Sequence, residues 1–185
     1  MSPRAYAAQK KREAKAVAHS IGAEVIFGPY ADGMIMNTEA HQRYVAEIIR
    51  QVKPTHIVTH WKSSIHKDHA NTHAIVMDAV LLASLESVRT RSARHRGVRA
   101  ISFTENWEDP EGFTPYLFVD VGEEMERWKE WIVQYEFIKG GISSFAYLEY
   151  YAALAVTRGA VVGKKSAIAF DVDPFEKKRV VELLP

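Results

Sequence analysis

Five of the chain's eight histidines, His56, His60, His66, His69 and His73, fall inside 18 residues. Imidazole gains and loses a proton near neutral pH and is a common metal ligand, so such crowding suits a metal ion, a proton donor or both. At about 100° per residue His69 and His73 share one helix face, and His66 joins them if the helix begins early. Asp68 adds a carboxylate that either caps the helix or orients a neighbouring imidazole. A loop that leaves a strand and enters a helix with two histidines and an aspartate within four residues builds a core poorly and a site well, which singles out His66 and His69. His56 alternates with strand residues and His73 lies a turn inside the helix, so both read as structural. His60, at the strand's carboxyl end, is open to either use.

The elements that must position this cluster follow from periodicity and punctuation. Ala8, Ala14, Val17, Ala18 and Ile21 repeat at helical spacing, with Gly22 as the stop. Residues 23–27 read as a short strand, and Gly28, Pro29, Asp32 and Gly33 as a turn-rich loop. Thr38 caps a helix that buries Tyr44, Val45, Ile48, Ile49 and Val52 and stops before Pro54. Residues 55–59 form the next strand, followed by a loop to about Lys67 and a helix over about 68–86. Further strands are expected at 100–104 and 116–120, and helices at about 123–137 and 143–156. This alternation implies an α/β fold, a mostly parallel sheet covered by helices, with its site at the carboxyl ends of the strands.

Composition narrows the function. A length of 185 residues suits one domain spanning 1–185. With 24 Lys and Arg against 23 Asp and Glu, the net charge of +1 excludes a general attraction to nucleic acid. The absence of cysteine removes disulfides and thiolate chemistry together. The first residues have no apolar core of a secretory signal, and no stretch approaches the roughly 20 apolar residues that cross a bilayer, so a soluble cytoplasmic protein is expected. The basic run Arg89, Arg91, Arg94, Arg96 and Arg99 reads as a solvated loop rather than a phosphate-binding patch. Aromatic stripes from Trp128 to Tyr151 suit core packing or a contact between copies of the chain, as in a homo-oligomer.

The run His60-Trp-Lys-Ser-Ser-Ile-His-Lys-Asp-His69-Ala-Asn-Thr-His73 resembles the second motif of the LmbE-like, or N-acetylglucosaminyl-phosphatidylinositol de-N-acetylase (PIG-L), family. That motif is usually His-Pro-Asp-His with a further His four residues on; Lys67 stands here in place of the Pro. Arg12-Glu-Ala, Ile21-Gly22, Asp32-Gly33, Phe118-Val-Asp120, Thr157-Arg-Gly159 and Gly163 resemble other parts of the family in the same order. Ser166-Ala-Ile-Ala-Phe170 departs from the family's Tyr-Ala-Glu-Ala-Phe.

The resemblance implies a Rossmann-like fold and a zinc-dependent hydrolase that removes an acetyl group from an N-acetylated amino sugar or a related glycoconjugate. It makes His69 a Zn2+ ligand, His66 the proton donor or electrostatic stabiliser, and Asp68 the orienting partner of His66. Lys10 falls where the family has a basic residue and Arg12 lies close by; either would meet a hydroxyl-rich or anionic substrate, although a solvated helix face is the favoured reading of both. Asp32, before a glycine, reads as a turn former first and a candidate substrate contact second, and His60 is a further candidate contact. Glu105 and Trp107 suit a sugar-lining loop, since indole faces stack on sugar rings and carboxylates bind hydroxyls, against the plainer reading of a surface loop.

The family's first motif, His-Pro-Asp-Asp-Glu, supplies two more zinc ligands and a general base, and the sequence does not contain it. The family's first strand is expected to be missing too, leaving the chain truncated at its amino terminus and inactive by itself. A start placed too far downstream is favoured over completion by another chain or real loss of catalysis. The rival reading is an inactive homologue that keeps a sugar-binding cleft as a binding or structural subunit. A third is a metal site built from His60, His66, His69 and His73 alone.

Overall fold

The computed structural model describes residues 1–109, 111–140 and 143–177. Helix α1 (Pro3–Ser20) starts at Ser2, whose hydroxyl accepts the Ala5 N–H at 3.2 Å, with proline in the first turn where its missing N–H costs nothing. Helix α2 (Glu39–Val52) is capped by Thr38 and ends at Lys53, whose φ of 54° turns the chain away before Pro54. Strand β1 (His56–His60) and helix α3 (Lys67–Ser84) follow. Then come β2 (Ala100–Thr104), β3 (Leu117–Asp120), α4 (Met125–Ile132), a 3-10 turn (Glu136–Lys139), α5 (Tyr147–Val161) and β4 (Ala167–Val172).

The four strands form one open sheet in the order β1-β2-β4-β3. β1 and β2 are parallel, His56 opposite Ala100 and His60 opposite Thr104, with α3 as the crossover. The expectation of mostly parallel pairing holds for this pair, while β4 runs antiparallel to β2, Ser102 opposite Val172.

Residue contacts divide the chain into two compact units, Met1–Pro29 with Phe118–Ile168, and Tyr30–Leu117 with the described residues from Ala169 onward. In the second unit α2 and α3 meet through Ala46, Ile49, Ala79 and Ala83, where three alanines let the helix backbones approach. Trp61, Ile101 and Phe103 form a second cluster, and the Trp61 indole N–H donates to the Glu111 carbonyl at 2.8 Å. In the first unit, edge-on and tilted ring contacts link Phe137, Tyr147, Phe145, Tyr150 and Tyr151, which gives those aromatics the packing role expected of them.

Three expectations change. Residues 23–27 are not a strand: Val25 and Ile26 are exposed and the segment has no ladder partner among the described residues, without which an apolar extended run is not a sheet element. The helix expected over 123–137 stops at Ile132 and resumes only as the 3-10 turn, and α5 lies about four residues later than its expected start. Strand β4 carries two alanines among its first three residues, weak strand formers that hid it in the sequence.

Candidate active site

The site belongs to the second unit and is built where β1 ends. Because β1 and β2 are parallel and in register, the loops that leave them emerge side by side. They are stitched together there: the Ile65 N–H donates to the Glu108 carbonyl at 2.9 Å, and the Ser64 hydroxyl to the same oxygen at 3.3 Å. The Asn106 side chain accepts the Glu108 N–H at 3.2 Å, a local turn that fixes Glu108.

Three imidazoles stack in this corner. The His69 ring lies between those of His60, at 4.1 Å and 8° from parallel, and His66, at 4.6 Å and 19°. His69 Nδ1 is 3.3 Å from Glu108 Oε2. The Ser64 hydroxyl is the hydrogen-bond partner of the same Nδ1, at 3.4 Å, so Nδ1 is engaged on the Ser64–Glu108 side and Nε2 is the ring's other nitrogen.

His66 is the N-cap of α3, its Nδ1 accepting the Asp68 N–H at 3.3 Å. An accepting Nδ1 places the ring proton of the neutral form on Nε2. His60 is half-buried with an unpartnered Nδ1, and burial, followed by the proximity of His69, His66 and His73, pushes its pKa down to about 4. His73 donates from Nδ1 to the His60 carbonyl at 2.9 Å, and His56 bonds the Ser102 hydroxyl at 2.8 Å, the structural uses expected of both.

Asp68 is buried, and its carboxylate accepts the Gly33 N–H at 2.6 Å and the Ile35 N–H at 3.3 Å. It thereby faces the loop before α2, while its link to His66 runs through its own backbone N–H. Asp109 is buried, and burial pushes its carboxyl up, partly offset by the Ser64 hydroxyl.

The structure thus brings together His60, His66, Asp68 and His69, with Gly33 and hence the exposed turn residue Asp32 beside Asp68. Glu105 and Trp107 lie on the loop that delivers Glu108. Lys10 and Arg12 belong to α1 in the other unit. There Lys10 pairs with Glu13 at 2.9 Å and sits over the Phe137 and Tyr6 rings, and Arg12 is exposed. Sequence reasoning named the 105–109 loop but passed over Glu108, the residue in it that reaches a histidine. The available signal was an acidic pair just beyond a strand parallel to the histidine-bearing one.

A family model, PIG-L: GlcNAc-PI de-N-acetylase, matches residues 1–80, which include His60, His66, Asp68 and His69. Among curated proteins no match is found. Solved structures share the fold. The conserved protein TT1542 from Thermus thermophilus is 18% identical, with a TM-score of 0.79 over 97% of this chain and 77% of that one. GalB, the 4-carboxy-2-hydroxymuconate hydratase from Pseudomonas putida, is 20% identical, with a TM-score of 0.79 over 100% and 78%. N,N'-diacetylchitobiose deacetylase from Pyrococcus horikoshii is 16% identical, with a TM-score of 0.74 over 91% and 64%. The mixed α/β arrangement with an open sheet is therefore one that this chain shares with these structures.

PIG-L proteins are generally metal-dependent. Among the described residues no group of three or more His, Cys, Asp or Glu side chains is arranged to hold a metal ion. The stack accounts for this: His60, His66 and His69 lie face against face, and His73 is turned to a backbone carbonyl. Among the described residues, His60, His66, His69 and His73 are not arranged as a three-ligand zinc site. No helix among them is long and apolar enough to cross a membrane.

Proposed function

We propose that the chain is a deacetylase of the PIG-L type that hydrolyses the amide of an N-acetylated amino sugar or related glycoconjugate in the cytoplasm. The observation that carries this reading is the convergence of His66 and His69, both inside the PIG-L match, with Glu108 at the carboxyl end of β1.

His66 is the electrostatic stabiliser in this reading: its Nδ1 accepts the Asp68 N–H, so the neutral ring presents its Nε2–H as a hydrogen-bond donor to the charge that develops on the substrate. His69, held by Glu108, offers Nε2 as a donor to zinc. It is one ligand, and no step is routed through the metal, whose remaining donors are not found among the described residues. His60 stays neutral near pH 7 and forms the wall against which His69 is stacked. Asp32, Glu105 and Trp107 are proposed substrate contacts because each lies on a loop fastened to the stack's surroundings.

The test is release of free amine from N-acetylglucosamine and from N,N'-diacetylchitobiose with zinc present. It is run on the chain as given and on the chain preceded by a strand ending in His-Pro-Asp-Asp. Amine release by the extended protein, at near-blank levels for the chain alone, is the expected result. An extended protein that retains one zinc per chain and releases no amine from either substrate overturns the reading.

A further inference from the structure

Asp68 does something other than what the resemblance implies for it. Residues 31–34 form a turn, closed by the Met34 N–H donating to the Ala31 carbonyl at 3.2 Å. Gly33 sits in it at φ +75°, a conformation that L side chains rarely adopt. From there the chain runs as an extended strap along α3. Asp68 takes the N–H groups of Gly33 and Ile35, Asn71 donates to the Ile35 carbonyl at 2.8 Å, and Asp78 accepts from Asn37 at 3.3 Å.

The bonded residues Gly33 and Ile35 are partly covered, whereas Met34 and Met36 between and after them are 64% and 59% exposed. The strap is therefore held by its polar backbone and presents methionines outward, beginning beside the residue that follows His66 and Lys67 on α3.

We propose that Asp68 is a positioning residue whose carboxylate clasps the 33–36 strap beside His66, setting Asp32 and Met34 at the rim of the site, rather than an orienting partner of the His66 ring. This rests on the reading of the corner as an active site. Both carboxylate oxygens are engaged with the strap, and the contact to His66 is made by the Asp68 backbone, which any residue at position 68 supplies. A short bond from a buried carboxylate to an amide is of the strong, charge-assisted kind. Asn at this position accepts one of the two bonds and turns an N–H₂ toward the other donor.

The first test needs no activity. In the wild-type protein the amides of Gly33 and Ile35 exchange with solvent more slowly than those of Asp32 and Met36, and Asp68→Asn speeds exchange across 31–36 by about tenfold or more while leaving the centre of α3 unchanged. Equal exchange at Gly33 and Asp32 in the wild type overturns the clasp even if no variant folds.

The second test compares Asp68→Asn with Asn71→Ala in the extended, active protein, because Asn71 holds the same strap through the Ile35 carbonyl. If Asp68 acts through the strap, both raise KM for N,N'-diacetylchitobiose, kcat changes little, and the double variant is no worse than additive. A silent Asn71→Ala beside an Asp68→Asn that lowers kcat and shifts its pH profile assigns Asp68 to His66 and overturns the proposal. Absence of amide hydrolysis in the parent extended protein sinks the functional reading and leaves the exchange result standing.

Discussion

Replacing Arg50 by Met should unfasten the far end of the helix that carries the site. Arg50 is 2% exposed, and its guanidinium reaches five backbone carbonyls, those of Leu82, Ala83, Leu85, Val88 and Ser92, together with the Thr90 hydroxyl. α3 ends there without a glycine, so this cation does the work of a C-cap. Two of the carbonyls keep backbone donors without it, Ala83 from His95 and Leu82 from Leu85. Those of Leu85, at 2.7 Å, and Val88, at 2.8 Å, take their bonds from the guanidinium.

Hydrogen bonds to a charged group contribute about 1.5–3 kcal/mol each, so losing two without replacement, with the rest weakened, comes to about 3–5 kcal/mol. Because a whole domain is stable by only about 5–15 kcal/mol, a fall of that size is easily measured. Arg50→Lys should cost about 2 kcal/mol, since an ammonium keeps the charge but lacks the planar fork. Urea unfolding followed by tryptophan fluorescence, with limited proteolysis of the 85–99 loop, reads both. A loss below about 1 kcal/mol for Arg50→Met would show that water or a rearranged loop satisfies those carbonyls, and the capping argument would fail.

Three further outcomes follow from neighbouring geometry. Burial pushes the Glu47 carboxyl up, but hydrogen bonds from Thr90, Ser92 and Gln51 outweigh it and bring it from 4.5 to about 2. That stabilisation is present above pH 4.5 and is lost as pH falls toward 2, so urea midpoints should drop across this window in the wild type and drop less in Glu47→Gln. At Gly159 in α5 an added Cβ would stand 2.7 Å from the Lys164 carbonyl and the Ser166 backbone, so Gly159→Ala should lower the Tm, by an amount set by about 1–3 kcal/mol of overpacking; an unchanged Tm would show that the turn yields freely. Trp61→Phe should cost about 1–2 kcal/mol through the lost bond to the Glu111 carbonyl, seen as a lower urea midpoint with an unchanged slope.

Much of this fold was readable because local signals agreed with tertiary demands. Thr38 followed by helical periodicity and Pro54 framed α2, and the histidine-rich loop announced the strand end where parallel chains place their sites. What escaped the sequence depends on partners. Residues 23–27 look like a strand until a ladder is asked for, and β4 looks weak until β2 lies beside it.

The site shows the same division. His66 and His69 could be picked from spacing, but Asp68 had two plausible uses, and only the position of the 33–35 backbone decides that its carboxylate serves the strap while His66 itself caps α3. Glu108 was hidden because its partnership with His69 is set by β1–β2 register, which no local pattern encodes. The arginine run is indeed a loop, but one fastened by Glu47 and Arg50, residues more than 30 positions upstream.

The most direct measurement is the rate of amide hydrolysis in His66→Asn of the extended protein with zinc bound. Asparagine is a good N-cap and preserves the start of α3, so helix content and Tm should remain near those of the parent while the Nε2–H that faces the substrate is gone. The account expects acetate release to fall by about 100-fold or more, with zinc content unchanged. A His66→Asn protein that releases acetate at the parental rate would contradict the assignment of this corner as the active site.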